Sequence, residues 1–242
     1  TGDYSYNLWK DEKNERGLWR RMPKKDYLAG KETWETVLDL DQLSAAEGKK
    51  WVFGGASWLG PENRYCLLYL SDGGKDESFI REFDAVEKKF VVGGFSIPES
   101  KGSVTWVDRD QILVATGYGA GTMTSSGYPA IAKLWKRGED PATAVTLHQT
   151  DTTNMGVFVS GGEYNGKQYV FLNENVGFYE SITYILTPDG LKQLDIPRDA
   201  ETSGMFREQL LLYLQSDWSL SGNTYKKGTL VSCNLQSFIA GM

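Results

Sequence analysis

A serine nucleophile of the α/β-hydrolase kind needs a GxSxG turn between a strand and a helix, and a histidine oriented by a carboxylate to take its proton. The nearest approach is Gly55-Ala56-Ser57-Trp58-Leu59-Gly60, which has the wrong spacing and no strand–turn–helix context. The one histidine, His148, ends the strand-like run Ala144-Val145-Thr146-Leu147-His148, and nothing local in sequence offers a carboxylate to orient it. It reads as a satisfied surface or core histidine. One histidine with two distant cysteines, Cys66 and Cys233, cannot supply the usual nitrogen and sulfur ligands of a metal, and there is no CxxC and no Walker loop. No catalytic, cofactor-binding or metal-ligating residue is therefore assigned, and no cofactor is expected. Both cysteines lie in apolar runs and are expected to be buried free thiols.

Carboxylates need separate weighing, because paired acids around a funnel are the machinery of glycosidases. Asp39, Asp41, Asp72, Asp84, Asp108, Asp110 and Asp217 all fall at strand ends or turns, where an Asp side chain is favoured because it bonds its own backbone. Trp58, Tyr118 and Tyr128 could stack on sugars, but core packing is the simpler reading. Two segments stand out. The Gly, Ser and Thr-rich stretch Gly117–Pro129 has no Lys to hold a phosphate and reads as a long inter-strand loop. In Arg16-Gly17-Leu18-Trp19-Arg20-Arg21 three cations flank an aromatic, an arrangement that allows an Arg to stack on Trp19 but is common in strands.

Composition narrows the partners. The 242 residues carry 26 Lys and Arg against 32 Asp and Glu, a net charge of −6, so no basic excess attracts nucleic acid. No apolar run approaches bilayer length, and a soluble globular chain is expected. The cysteines leave the compartment open between cytoplasm and periplasm, and a start at Thr1-Gly2-Asp3 without Met reads as a processed or cut N-terminus. With 8 Trp, 13 Tyr, 10 Phe and 27 Gly, the mixture suits twisted strands joined by tight turns.

The elements that must position these residues are short strands. The one helical candidate is Asp41–Glu47, stopped by Gly48. Taking the second strand of each repeat as a marker gives Trp19, Cys66, Ile112, Tyr169 and Leu210, spaced by 47, 46, 57 and 41 residues. A period of roughly 40 to 50 residues with four strands per repeat is the mark of a β-propeller. The expectation is an all-β chain, 1–242 a single propeller domain or fragment, with about five four-stranded blades near 4–40, 51–95, 103–148, 155–197 and 206–239. Asn165-Gly166 is the strongest hairpin turn among them.

Several stretches, in this order, resemble the propeller of the prolyl oligopeptidase family, in particular a bacterial branch. They are Arg16–Arg21, Trp34-Glu35-Thr36-Val37-Leu38-Asp39, Trp51–Ala56, Leu70–Asp76, Arg81-Glu82-Phe83-Asp84, Phe90–Lys101, and Ser126-Gly127-Tyr128-Pro129 followed by Trp135-Lys136-Arg137-Gly138. The chain departs from the family at Ala130, where an Arg often follows Tyr-Pro. The resemblance implies a seven-bladed propeller, open at its ring closure, paired in the parent chain with an α/β-hydrolase domain that carries Ser, Asp and His. It further implies a non-catalytic gating role in a serine peptidase that cleaves short peptides after proline. Within this chain alone no activity is expected. The partners would be that hydrolase domain and a short peptide substrate, and a truncated arc with open strand edges would invite self-association. The alternative is a self-standing five-bladed propeller that binds carbohydrate or protein.

Overall fold

The computed structural model describes residues 1–240, which fall into a first compact unit, Thr1–Lys101, and a second that begins at Gly102. In the first unit the elements run β1 (Tyr4–Trp9), β2 (Leu18–Pro23), α1 (Lys24–Leu28), β3 (Glu35–Asp39), α2 (Leu40–Glu47), β4 (Trp51–Trp58), β5 (Tyr65–Asp72), β6 (Ser78–Asp84), β7 (Lys89–Phe90) and β8 (Ser96–Ser100). β1, β2 and β3 form one antiparallel sheet; β4 to β7 form the next, with β8 also paired to β6. The helix α2 follows from its caps. Asp39 accepts the N–H groups of Asp41 and Gln42, and Gly48 ends the helix in the left-handed conformation at φ +65°.

The second unit continues with β9 (Ser103–Trp106), β10 (Gln111–Ala115), β11 (Ile131–Lys136), β12 (Val145–Gln149), β13 (Gly156–Tyr164), β14 (Lys167–Asn175), β15 (Ser181–Thr187) and β16 (Gly190–Gln193). Then come β17 (Glu201–Phe206), β18 (Gln209–Tyr213), β19 (Trp218–Leu220), β20 (Asn223–Tyr225), β21 (Leu230–Asn234) and α3 (Leu235–Ile239). β9–β12 and β13–β16 are four-stranded sheets; the last sheet has three strands, β17, β18 and β21, because β19 and β20 pair apart as a hairpin. Among the described residues no helix is long and apolar enough to cross a membrane.

Each sheet is apolar on both faces, so neighbours within a unit must cover each other. In the first unit Trp19, Val37 and Leu40 pack with Cys66, Leu68, Leu70 and Phe83 of the following sheet. In the second, Leu113, Ala115 and Ala132 meet Val157, Val159 and Leu172. Tyr169 and Ile185 in turn pack with Leu210, Leu212 and Val231.

Sheet-to-sheet approach is closest between β9 and β13. The N–H of Val159 donates to the Ser103 hydroxyl at 2.8 Å. A Cβ on Gly161 would lie 2.4 Å from the Tyr169 carbonyl oxygen and 2.6 Å from the Thr105 hydroxyl, so only glycine fits.

Connections in the second unit differ by edge. Chain reversal at every strand sends alternate connections to the same edge of a sheet. The connections after β13, β15 and β17 are the tight turns 165–166, 188–189 and 207–208. Asn165 and Gly166, at φ +56° and +78°, make the primed turn expected of an Asn-Gly hairpin. The connections after β10, β12, β14, β16 and β18 are longer: 116–130, 150–155, 176–180, 194–200 and 214–229.

Replacing Gly161 with Ala is expected to destabilise the protein by about 1–3 kcal/mol through overpacking, read as a lowered urea midpoint with an unchanged slope.

Candidate functional site

The long connections of the second unit are bound to one another. In the Gly117–Pro129 stretch, the Ser125 N–H donates to Thr152 O at 2.8 Å and the Thr124 hydroxyl to Met155 O at 2.9 Å. Backbone amides of Thr122, Thr124 and Gly127 are spent on carbonyls of the same loop, so they form no anion cradle. Tyr118 donates to Val114 O and lies under the Lys133 ammonium, 4.6 Å from the ring centre, and burial raises its phenol well above the usual range.

His148 finds its partner far away in sequence. Its Nε2 lies 2.9 Å from Glu174 Oε2, a carboxylate on β14 of the next sheet. Glu174 also accepts from the hydroxyl of Thr150 at 2.5 Å, the amide of Asn154 at 3.0 Å and, at 3.4 Å, the phenol of Tyr184, whose ring packs on His148 at 4.9 Å. A carboxylate does orient the histidine, but the pair is a polar seam between two sheets, with side chains only 16% and 12% exposed. Ser57 sits mid-strand in β4 opposite Leu67, without an elbow.

All seven aspartates are engaged in structure, but only Asp39, Asp84 and Asp108 bond backbone two or three residues away, and Asp41 lies in α2 rather than at a strand end. Asp39 caps α2; Asp41 accepts the N–H groups of Arg16 and Gly17; Asp72 holds Lys49 and the Lys50 N–H. Asp108 accepts the Asp110 N–H, Asp110 pairs with Arg137, and Asp217 holds Lys226 and the Lys227 N–H. Asp84 is buried, which alone would raise its carboxyl; hydrogen bonds from Arg64, Glu87 N–H and Val86 N–H outweigh that and hold it below the usual range. Asp72 and Asp217 are also held low, Asp72 chiefly by the Lys50 N–H and Asp217 chiefly by Lys226. A glycosidase acid needs the opposite shift, which Asp72, Asp84 and Asp217 do not have.

Arg stacking falls elsewhere than on Trp19. Trp19 is buried among Tyr6, Phe53, Trp58 and Phe83, ring centres 5.2–5.9 Å away, because strand alternation turns it to the opposite face from Arg20. Arg20 lies over Trp9 at 4.3 Å and Trp34 at 4.7 Å instead. Trp58 belongs to the same core cluster, and Tyr128 packs on Phe158 at 5.4 Å, so these rings fill space between strands. Cys66 is fully buried, but Cys233 on β21 is only half-buried.

A cavity of about 790 Å³ in the second unit opens on the long-loop edge and is lined by Asn173, Asn175, Phe178, Tyr179, Arg198 and Lys227 among others. The sequence reading missed it. Phe178 and Tyr179 belong to no strand period, and only their 82% and 87% exposure distinguishes them.

The sequence profile of the prolyl oligopeptidase N-terminal β-propeller domain matches residues 1–189. The chain belongs to the prolyl oligopeptidase family. Its all-β sheets are those of that family's β-propeller region. It is 38% identical to an uncharacterized peptidase of Sinorhizobium fredii, over 97% of this chain and 33% of the relative. It is 35% identical to an uncharacterized peptidase of Rickettsia prowazekii, over 98% and 35%. Among solved structures, a post-proline cleaving enzyme from Rickettsia typhi superposes with a TM-score of 0.90 at 32% identity, covering 99% of this chain and 37% of that one. The chain thus spans about a third of the length of the curated relatives it matches. At the family's Tyr-Pro motif, Ala130 is fully buried, with its N–H donated to Thr122 O and its carbonyl bonded by Thr150 N–H, so this propeller has no room for a long cationic side chain there.

Two outcomes are expected. Glu174→Ala leaves Thr150, Asn154, His148 and Tyr184 short of a shared acceptor and lowers unfolding free energy by about 3 kcal/mol in urea titration. Burial raises both thiols and the Cys66 thiol far more, so a disulfide reagent should label Cys233 slowly and Cys66 only once the protein unfolds.

Proposed function

We propose that this chain is the gating propeller of a serine peptidase that cleaves short peptides after proline. The observation that carries the reading is the 0.90 TM-score to a post-proline cleaving enzyme of which this chain covers only 37%. The fold of this propeller is shared, while the chain's own histidine is engaged by Glu174 in a structural seam. On this reading residues 1–242 are one propeller domain. The serine, aspartate and histidine that carry out acyl transfer come from an α/β-hydrolase domain in the same longer protein. The propeller's share of the work is exclusion: a folded protein cannot reach a nucleophile covered by a rigid stack of sheets, whereas a short peptide can.

The test is enzymatic. The longer protein should hydrolyse a Gly-Pro nitroanilide, lose that activity to an organophosphonate serine reagent, and leave a denatured protein chain of several hundred residues uncut. The chain of 242 residues by itself should release no nitroaniline. Turnover by the isolated chain overturns the non-catalytic reading, and rapid cutting of the long chain overturns the gate.

A further inference from the structure

The cavity on the long-loop edge has more structure than a gap between loops. The connection 176–180 is pinned at its base: the N–H groups of Val176 and Gly177 donate to Glu180 O, and Ser181 N–H donates to Arg198 O at 2.8 Å. The pinned loop carries Phe178 and Tyr179, ring centres 6.0 Å apart and both almost fully exposed. Two neighbouring aromatic rings left in water cost hydrophobic free energy that a ligand would recover.

Charge at the rim is divided unevenly. Of the lining carboxylates, Glu201 accepts from the Gln215 amide at 2.6 Å and Asp199 from the Ser216 hydroxyl at 3.0 Å. Glu180 has no side-chain partner among the described residues, and neither Arg198 nor Lys227 has a carboxylate partner there. Lys227 gives only its backbone N–H to Asp217. A cavity with two unspent cations, one unspent carboxylate and a pair of exposed rings matches a small zwitterion with an apolar side chain. A short free peptide has that chemistry: a carboxylate that a guanidinium holds through two hydrogen bonds, an ammonium, and side chains that stack on rings. The volume of about 790 Å³ falls in the range that holds a ligand of a few residues.

We propose that this cavity is a subsite for the C-terminal end of short peptide substrates, with Arg198 and Lys227 meeting the free carboxylate and Phe178 and Tyr179 covering the side chain beside it. The assignment rests on the peptidase reading above, and adds to it a preference for peptides with a free C-terminus.

The experiment uses the longer protein and one quenched Gly-Pro tetrapeptide made both as the free acid and as the C-terminal amide. The acid should have a KM lower by about tenfold, the size of a lost charge-assisted hydrogen bond, and the advantage should shrink as salt is raised. In Arg198→Gln the preference for the acid should fall severalfold, in Arg198→Gln/Lys227→Gln it should vanish, in Arg198→Lys it should be partly kept, and Phe178→Ala should raise KM for both peptides. Equal KM values for acid and amide in the unaltered protein, or a ratio untouched by Arg198→Gln, overturns the subsite while leaving the peptidase reading standing. Hydrolysis of neither peptide overturns both.

Discussion

Everything in this molecule follows from one packing constraint: a twisted antiparallel sheet with two apolar faces is stable only when each face is covered. The chain meets it by stacking sheets within each unit, and the closeness of the stack is set by small residues. At β9 and β13 Gly161 leaves room for the Thr105 hydroxyl to sit against its backbone, and the Ser103 hydroxyl accepts the Val159 N–H across the gap. Larger side chains there would pry the sheets apart and open the Leu113–Val157 core to water.

That stacking leaves only the sheet edges for anything else. In the second unit one edge carries the three two-residue turns together with the connections 107–110 and 137–144, while the other gathers the connections 116–130, 150–155, 176–180, 194–200 and 214–229, the Glu174 seam and the cavity of about 790 Å³. The seam shows how the chain binds two sheets where apolar packing gives out. Glu174 is a carboxylate with its side chain 12% exposed, which is costly unless its oxygens are used, and four side chains from β12, β15 and the 150–155 connection use them. Because the donors come from both sheets, slipping one sheet past the other would strand a charge. The arrangement fixes alignment where hydrophobic contact alone would tolerate a shift.

What was legible in the sequence was local. The Asn165-Gly166 turn, the stop of α2 at Gly48 and the backbone bonds of Asp39, Asp84 and Asp108 depend on neighbours a few residues away, whereas Asp41, Asp72 and Asp110 hold groups more than 20 residues distant; the strand period carried the propeller. The Glu174 partner of His148 was not legible, because it lies 26 residues on in another sheet. That Arg20 does not stack on Trp19 follows from alternation: in a strand, adjacent residues point to opposite faces, so a buried Trp19 and an adjacent Arg20 cannot stack. Cys233 is less buried than its apolar run implied, since β21 lies at the edge of its sheet with no strand beyond it among the described residues. Four strands per sheet holds for β9–β12 and β13–β16, whereas the first sheet has three and the last diverts two strands into a separate hairpin.

On the peptidase reading proposed above, the propeller acts on cleavage without entering the chemical step. Binding that is equal in ground and transition states changes KM and leaves the chemical step alone, so a propeller can set specificity only through access and through contacts to parts of the substrate remote from the scissile bond. Such contacts must be rigid to discriminate, because a loop that has to be ordered on binding spends the free energy it recovers. The 176–180 connection meets that requirement. Its base is closed by backbone hydrogen bonds to Glu180 and Arg198, so Phe178 and Tyr179 are held out on a fixed support and Arg198 is tied to the same support through its own carbonyl. The backbones that carry the aromatic pair and the cation are therefore joined directly, so entry of a ligand does not have to bring them together.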